Sequence, residues 1–153
     1  MTDRRELILA RLFAILQTIP SVQAVVRNRG ELPDDKRPGI ILFDAGEVAR
    51  LQPPQQARGR LIRAATFVDM TPQIFVVMDQ REPPNKNLGQ DMNALRITIV
   101  RTIIYDPELE TIIGGNGDIR YAGTTTDLTG DGSAEGQMNI RLTFTYVLKP
   151  SEL

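Results

Sequence analysis

The sequence predicts an α+β chain that ends in a long β-hairpin, and three observations carry the expectation. Near the N-terminus, Ile8, Leu12, Ile15, Leu16 and Ile19 recur at helical spacing. Near the C-terminus, Met138, Ile140, Leu142, Phe144 and Tyr146 alternate with Asn139, Arg141, Thr143 and Thr145, the period of a half-buried strand. Between them lie short apolar runs bounded by Gly, Pro and Asp, with no internal repeat. With 153 residues and 41% apolar content, the chain suits one domain over residues 1–153, with mobile loops near residues 45–60 and 127–136.

The elements follow in order. Residues 3–20 form an amphipathic helix, with Asp3 and Glu6 as a capping pair and Pro20 as the stop. "SVQAVVRN" is a strand, with Val22, Ala24 and Val26 on one side. "RGELPDDKRP" is a charged loop. "GIILFD" is a strand with both faces covered. "EVARLQPPQQARG", broken by Pro53 and Pro54, is a loop. "RLIRAATFVDM" and "QIFVVMDQ" are two strands that the Thr71–Pro72 pair turns into an antiparallel hairpin. "REPPNKN" is another loop.

"LGQDMNALRITIVRTIIYD" supports two readings. Met92, Leu95, Ile99 and Ile103 recur at helical spacing, while Leu95, Ile97 and Ile99 alternate and β-branched residues abound. The length without a turn signal favours the helix. "DPELETIIGG" is a short helical turn opened by Pro107 and closed by Gly114. "DIRYAGTTTD" and "QMNIRLTFTYVLKP" then form the hairpin, with "LTGDGSAEG" as its tip.

Composition removes several kinds of chemistry. The chain has no cysteine and no histidine, which excludes disulfides, zinc sites of the usual kind and His-dependent nucleophilic catalysis. Serine occurs only at positions 21, 133 and 151, and lysine only at 36, 86 and 149, so no Ser-x-x-Lys pair exists. The net charge of −1 and the 5% aromatic content fit neither a dedicated nucleic-acid binder nor a base-stacking platform. No apolar run spans a bilayer, and charged residues at positions 3–6 interrupt any signal-peptide pattern, so a soluble cytoplasmic protein is expected. Residues 1–63 carry 11 basic and 7 acidic side chains, whereas residues 64–153 carry 7 basic and 12 acidic ones. That polarity suits a head-to-tail contact between copies, or simply two differently charged faces.

Two motifs invite chemical readings. Asp127, Thr129, Asp131 and Gly132 occupy the first, third, fifth and sixth places of a calcium loop. The twelfth place, which needs a bidentate Glu, is Met138, and the flanks are strands, so a hairpin tip is the better reading. "GGNGD" (residues 114–118) lacks the further residues of either phosphate-binding loop and precedes a strand, so it is a turn. Asp34, Asp35, Asp44, Glu47, Asp106, Glu108 and Glu110 could serve acid–base or Mg²⁺ chemistry, but no spacing singles out a pair.

The order of the pieces resembles the tail terminator proteins of long-tailed bacteriophages, also called tail completion or minor tail U-like proteins, with relatives in gene transfer agents. The features that carry the resemblance are Pro38 to Glu47, the run from Asn93 and Leu95 to Asp106–Pro107–x–Leu109, and the last strand, Gly136 to Pro150. The resemblance implies a helix over Leu88 to Ile104 and a mainly antiparallel, mixed sheet flanked by helices. It implies a structural virion protein, not an enzyme, with no cofactor and no metal. Six copies would form a ring that caps the tail tube, ends its polymerisation and offers a surface for head joining. The implied partners are further copies of the chain, the tail tube protein and a head completion or connector protein. DNA would pass through the lumen without specific binding, and no membrane is involved. The expected location is the head-proximal end of the virion tail, and the host cytoplasm during assembly.

Exposure and length place the ring or tube contacts at Gln52, Pro53, Pro54 and Gln55, and at Asp127, Leu128, Thr129 and Asp131 of the hairpin tip. A head–tail connector or other neck protein is the alternative within phage structure. A small carboxylate-based, metal-dependent hydrolase is the alternative outside it.

Overall fold

A computed structural model describes residues 3–50, 55–57, 60–62, 65–79, 88–128 and 135–152 of the chain. Three helices and a seven-stranded, mostly antiparallel sheet make an α+β fold. Helix α1 (Arg4–Leu16) starts where the Asp3 carboxylate accepts from the Arg5 N–H at 3.1 Å. It buries Ile8, Leu9, Leu12, Ile15 and Leu16. It ends before Pro20, because Thr18 donates its backbone N–H and its hydroxyl to the Ile15 carbonyl and tightens the last turn. Glu6 does not close a capping box; its carboxylate accepts from Arg27.

Helix α2 (Leu88–Ile104) settles the ambiguous stretch as helix, burying Leu88, Met92, Ile99 and Ile103. Helix α3 (Pro107–Ile113) has Pro107 in its first turn, and the Asp106 carboxylate accepts from the Leu109 N–H at 2.9 Å. Gly114 follows at φ 85°, a conformation that favours glycine.

The sheet is built around one long strand. β1 (Ala24–Arg27) runs parallel to β2 (Gly39–Phe43), the only parallel pair in the sheet as described. The first four residues of β2 are buried, so both its faces are covered as expected. β6 (Thr66–Met70) and β7 (Gln73–Asp79) do not form the expected hairpin. Both pair with β9 (Glu135–Leu148), and the register from Thr66↔Leu148 to Met70↔Phe144 resumes without slip at Gln73↔Arg141. They are therefore two halves of one strand interrupted at Thr71–Pro72. Neither residue supplies the positive φ that a two-residue hairpin requires, and Pro72 merely withholds one donor from the ladder. The Thr71 and Thr143 hydroxyls meet at 3.1 Å across the interruption.

The stretch expected to be a loop near residues 45–60 contains strands. β3 (Glu47–Arg50) pairs with β6, and all four of its residues are exposed. β4 (Gln55–Ala57) and β5 (Arg60–Ile62) form a separate two-stranded sheet. The run read as one strand over residues 60–70 thus contributes to two different sheets. A short strand at an exposed edge buries little, so no apolar alternation announces it. The expected loop "REPPNKN" lies outside the described residues.

β8 (Asp118–Leu128) covers the other edge of β9, from Asp118↔Thr145 to Leu128↔Gly136, with a bulge between Tyr121 and Gly123. The expected C-terminal hairpin is present, and residues 129–134 of its tip lie outside the described residues. All three helices pack on one face of the sheet, against Met138, Ile140, Leu142, Phe144 and Tyr146 of β9, each at most 1% exposed.

Arginine clamps tie helices to sheet. Arg27 reaches Glu6 of α1 and Asp44 beyond β2, at 2.7–2.9 Å. Arg11 of α1 holds Asp106 at 2.6 and 3.0 Å. The Arg27 guanidinium lowers the pKa of Glu6 and of Asp44, and the Arg11 guanidinium lowers that of Asp106. Carboxyls with depressed folded-state values stabilise the fold above their unfolded value, about 4. That stability is lost as pH falls through the folded values. The urea midpoint is therefore expected to hold from pH 8 to about 5 and to fall steadily below about 4. A midpoint unchanged at pH 3 would show that the clamps contribute nothing.

Candidate assembly surfaces

The two segments expected to make contacts occupy opposite ends of the sheet. Gln55 opens β4, while Gln52, Pro53 and Pro54 lie outside the described residues. The β4–β5 hairpin leaves the sheet between β3 and β6, where Thr66 stands opposite Leu148. Asp127 and Leu128 end β8 opposite Gln137 and Gly136, and Thr129 and Asp131 lie outside the described residues. β9 spans 14 residues, so the two ends stand roughly 43 Å apart. They form no single site.

Asp127 is a strand residue, and Met138, which holds the twelfth place of the calcium pattern, is a core side chain 1% exposed. "GGNGD" is a turn leading into β8, as expected. Four of the other candidate carboxylates have structural partners. Asp44 and Asp106 sit in the arginine clamps, and Glu108 meets Arg11 at 2.9 Å. Glu47 accepts from the Tyr146 hydroxyl at 2.9 Å. Burial, and then this carboxylate, push the Tyr146 phenol well above its ordinary pKa. Among the described residues no three acidic side chains gather as metal ligands would.

Two surfaces emerge that sequence reasoning missed. The first is the sheet face turned away from the helices. Phe43 of β2 and Phe75 of β7 meet edge to face there, with centroids 5.4 Å apart. Ile41, Val77 and Leu32 form a second small cluster beside them. A row of polar side chains, Gln137, Asn139, Arg141 and Thr143, continues along the same face of β9. On that row Asn139 Oδ1 and Arg141 Nε are shielded from solvent and meet no hydrogen-bond partner.

The second surface is a groove of ≈ 820 Å³ between the end of α2, α3 and the start of β8. Tyr105 stands on its lip at 80% exposure, with Glu110 and Asp118 along the rim. The sequence held one signal for it. Tyr105 follows the buried Ile103 by two positions, half a turn away from the helix's apolar stripe.

No family model matches this chain, and no curated protein sequence matches it.

Proposed function

We propose that the chain is a structural subunit of a bacteriophage tail terminator, assembling head to tail into a six-membered ring that caps the tail tube and presents a head-joining surface. One observation carries this reading. The three segments that resemble tail terminators belong to the framework of the fold: Pro38 to Glu47 covers β2 and the turn into β3, Asn93 to Leu109 covers α2 from its second turn onward and the capped start of α3, and Gly136 to Pro150 covers nearly all of β9. The separation of the contact segments supports the same reading. A ring subunit needs lateral contacts with its neighbours and an axial contact with the tube. The hairpin tip at one end of β9 suits the axial role, and the surfaces at the other end suit the lateral one.

Light scattering tests the proposal across protein concentration, with and without Mg²⁺. The expected particle has six times the 17.1 kDa mass of the chain. A closed dimer that never grows would overturn the ring. So would a monomer that also fails to co-sediment with phage tail tubes.

A further inference from the structure

We infer that Tyr105 of one copy inserts into the pocket beside Phe43 and Phe75 of the next copy, on the sheet face turned away from the helices, and that this is the lateral contact of the ring. The inference rests on the ring reading and names the two surfaces that meet.

The pocket suits an aromatic guest with acidic surroundings. It encloses ≈ 980 Å³ between the loop at residues 29–33 and strands β2 and β7. Phe43 and Phe75 line it while only half-buried, so part of each ring is left for another side chain. The charged residues of its lining are Arg29, Arg37 and Glu31, two positive charges against one negative. Arg29 is exposed and makes no ion pair among the described residues.

The guest is built where α2 ends. Tyr105 is 80% exposed, more than any other large hydrophobic side chain among the described residues. Residues 105–110 read "YDPELE", three carboxylates behind one aromatic ring and no basic residue. Arg11 holds Asp106 and Glu108, whereas Glu110 is exposed and makes no ion pair among the described residues. No lysine or arginine lines the groove behind Tyr105. Tyrosine is a typical interface anchor, and an arginine over its ring adds a cation–π attraction.

A single chain cannot bring the two surfaces together. Ile41, Phe75 and Val77 of the pocket alternate with Ile40, Ile74 and Val76, which lie in the core under the helices. Pocket and Tyr105 therefore stand on opposite sides of the sheet. They also stand on opposite flanks, the pocket on the β2–β7 side of β9 and Tyr105 beside the start of β8. Two different, complementary surfaces on opposite flanks make a heterologous contact, the kind that closes a ring. Arg29 belongs to the basic half of the chain and Glu110 to the acidic half, so the contact accounts for the charge polarity. The pocket stands level with Asn139, and the groove behind Tyr105 level with Thr145, roughly 20 Å apart along β9. A contact offset by that much closes only when β9 runs oblique to the ring axis.

Photocrosslinking tests the contact directly. Tyr105 is replaced by the photoreactive aromatic p-benzoylphenylalanine, which keeps the anchor. Unlabelled and ¹⁵N-labelled chains are mixed before irradiation, in solution and on tail tubes. The expected adduct joins position 105 of one copy to residues 29–43 or 73–77 of another. Independently, Tyr105→Ala should raise the concentration for half-assembly at least about thirtyfold. Arg29→Glu or Glu110→Lys should each raise it about tenfold, and carrying both reversals on one chain should restore assembly. The urea midpoint of each variant should stay unchanged, because all three side chains are exposed. An adduct within one chain, or to another segment of the neighbour, would overturn the contact. Six-membered particles that respond to none of these substitutions would overturn this pairing while leaving the ring standing. Closed dimers, or monomers that fail to co-sediment with tubes, would overturn both.

Discussion

Phe144→Ala is expected to lower the unfolding free energy by about 4 kcal/mol, the largest single effect in the molecule. Phe144 is 0% exposed and sits at the junction of three strands, with Met70 of β6 on one side and Ile119 of β8 on the other. Removing the ring forfeits its transfer energy and leaves a void. The two flanking strands cannot collapse into it, because the β9 ladder fixes their spacing on both edges. For a domain whose total stability is typically about 5–15 kcal/mol, this is a large share. In urea monitored by circular dichroism, the midpoint should fall by about 2 M. Phe144→Leu, which keeps most of the volume, should cost only about 1 kcal/mol. A loss below about 1 kcal/mol for the alanine variant would mean that the side chain is not enclosed as described.

Gly117→Ala is expected to cost about 3 kcal/mol through overpacking. A Cβ on Gly117 would lie 2.0 Å from Ile113 Cγ2 and 2.5 Å from the Thr145 carbonyl oxygen. The first neighbour is a core side chain only 4% exposed, and the second is backbone in the middle of the sheet. Neither can move without shifting α3 against β9. Gly115→Ala is the internal control, because a Cβ there meets nothing within 4 Å, and its effect should stay within about 0.5 kcal/mol. Equal unfolding midpoints for the two variants would contradict the close approach of α3 to β9.

The residues that settled most of the fold were those whose local preference and burial agree. α1 with its Asp3 cap, α3 with Asp106, Pro107 and Gly114, and the alternation of β9 all satisfy local rules while packing one face against the core. The β6–β7 misreading arose where a local turn signal conflicted with the longer pattern. Val68, Met70, Pro72, Ile74 and Val76 are all buried, so the alternation passes straight through Pro72. Period 2 sustained on both sides in the same phase marks one strand, whereas a hairpin would have had to reverse it. β3 was invisible for a different reason, since a short exposed strand is held by a backbone ladder that leaves no apolar trace. For the candidate surfaces, the groove was not legible in the sequence. Tyr105 lies in the turn after α2, Glu110 in α3 and Asp118 at the start of β8, and only the docking of α3 on β9 brings them together.

The central place of β9 also sets the order in which the protein can be made. It is the last strand of the sheet to leave the ribosome, yet β6, β7 and β8 all pair with it. Until residues 135–148 are synthesised, each of those strands presents an unsatisfied edge. The N-terminal two-thirds of the chain can form helices and the β1–β2–β7 ribbon while still on the ribosome, but it cannot close its core. Closure of the core therefore waits for residues 135–148, and the nascent chain is at its most adhesive just before that strand emerges.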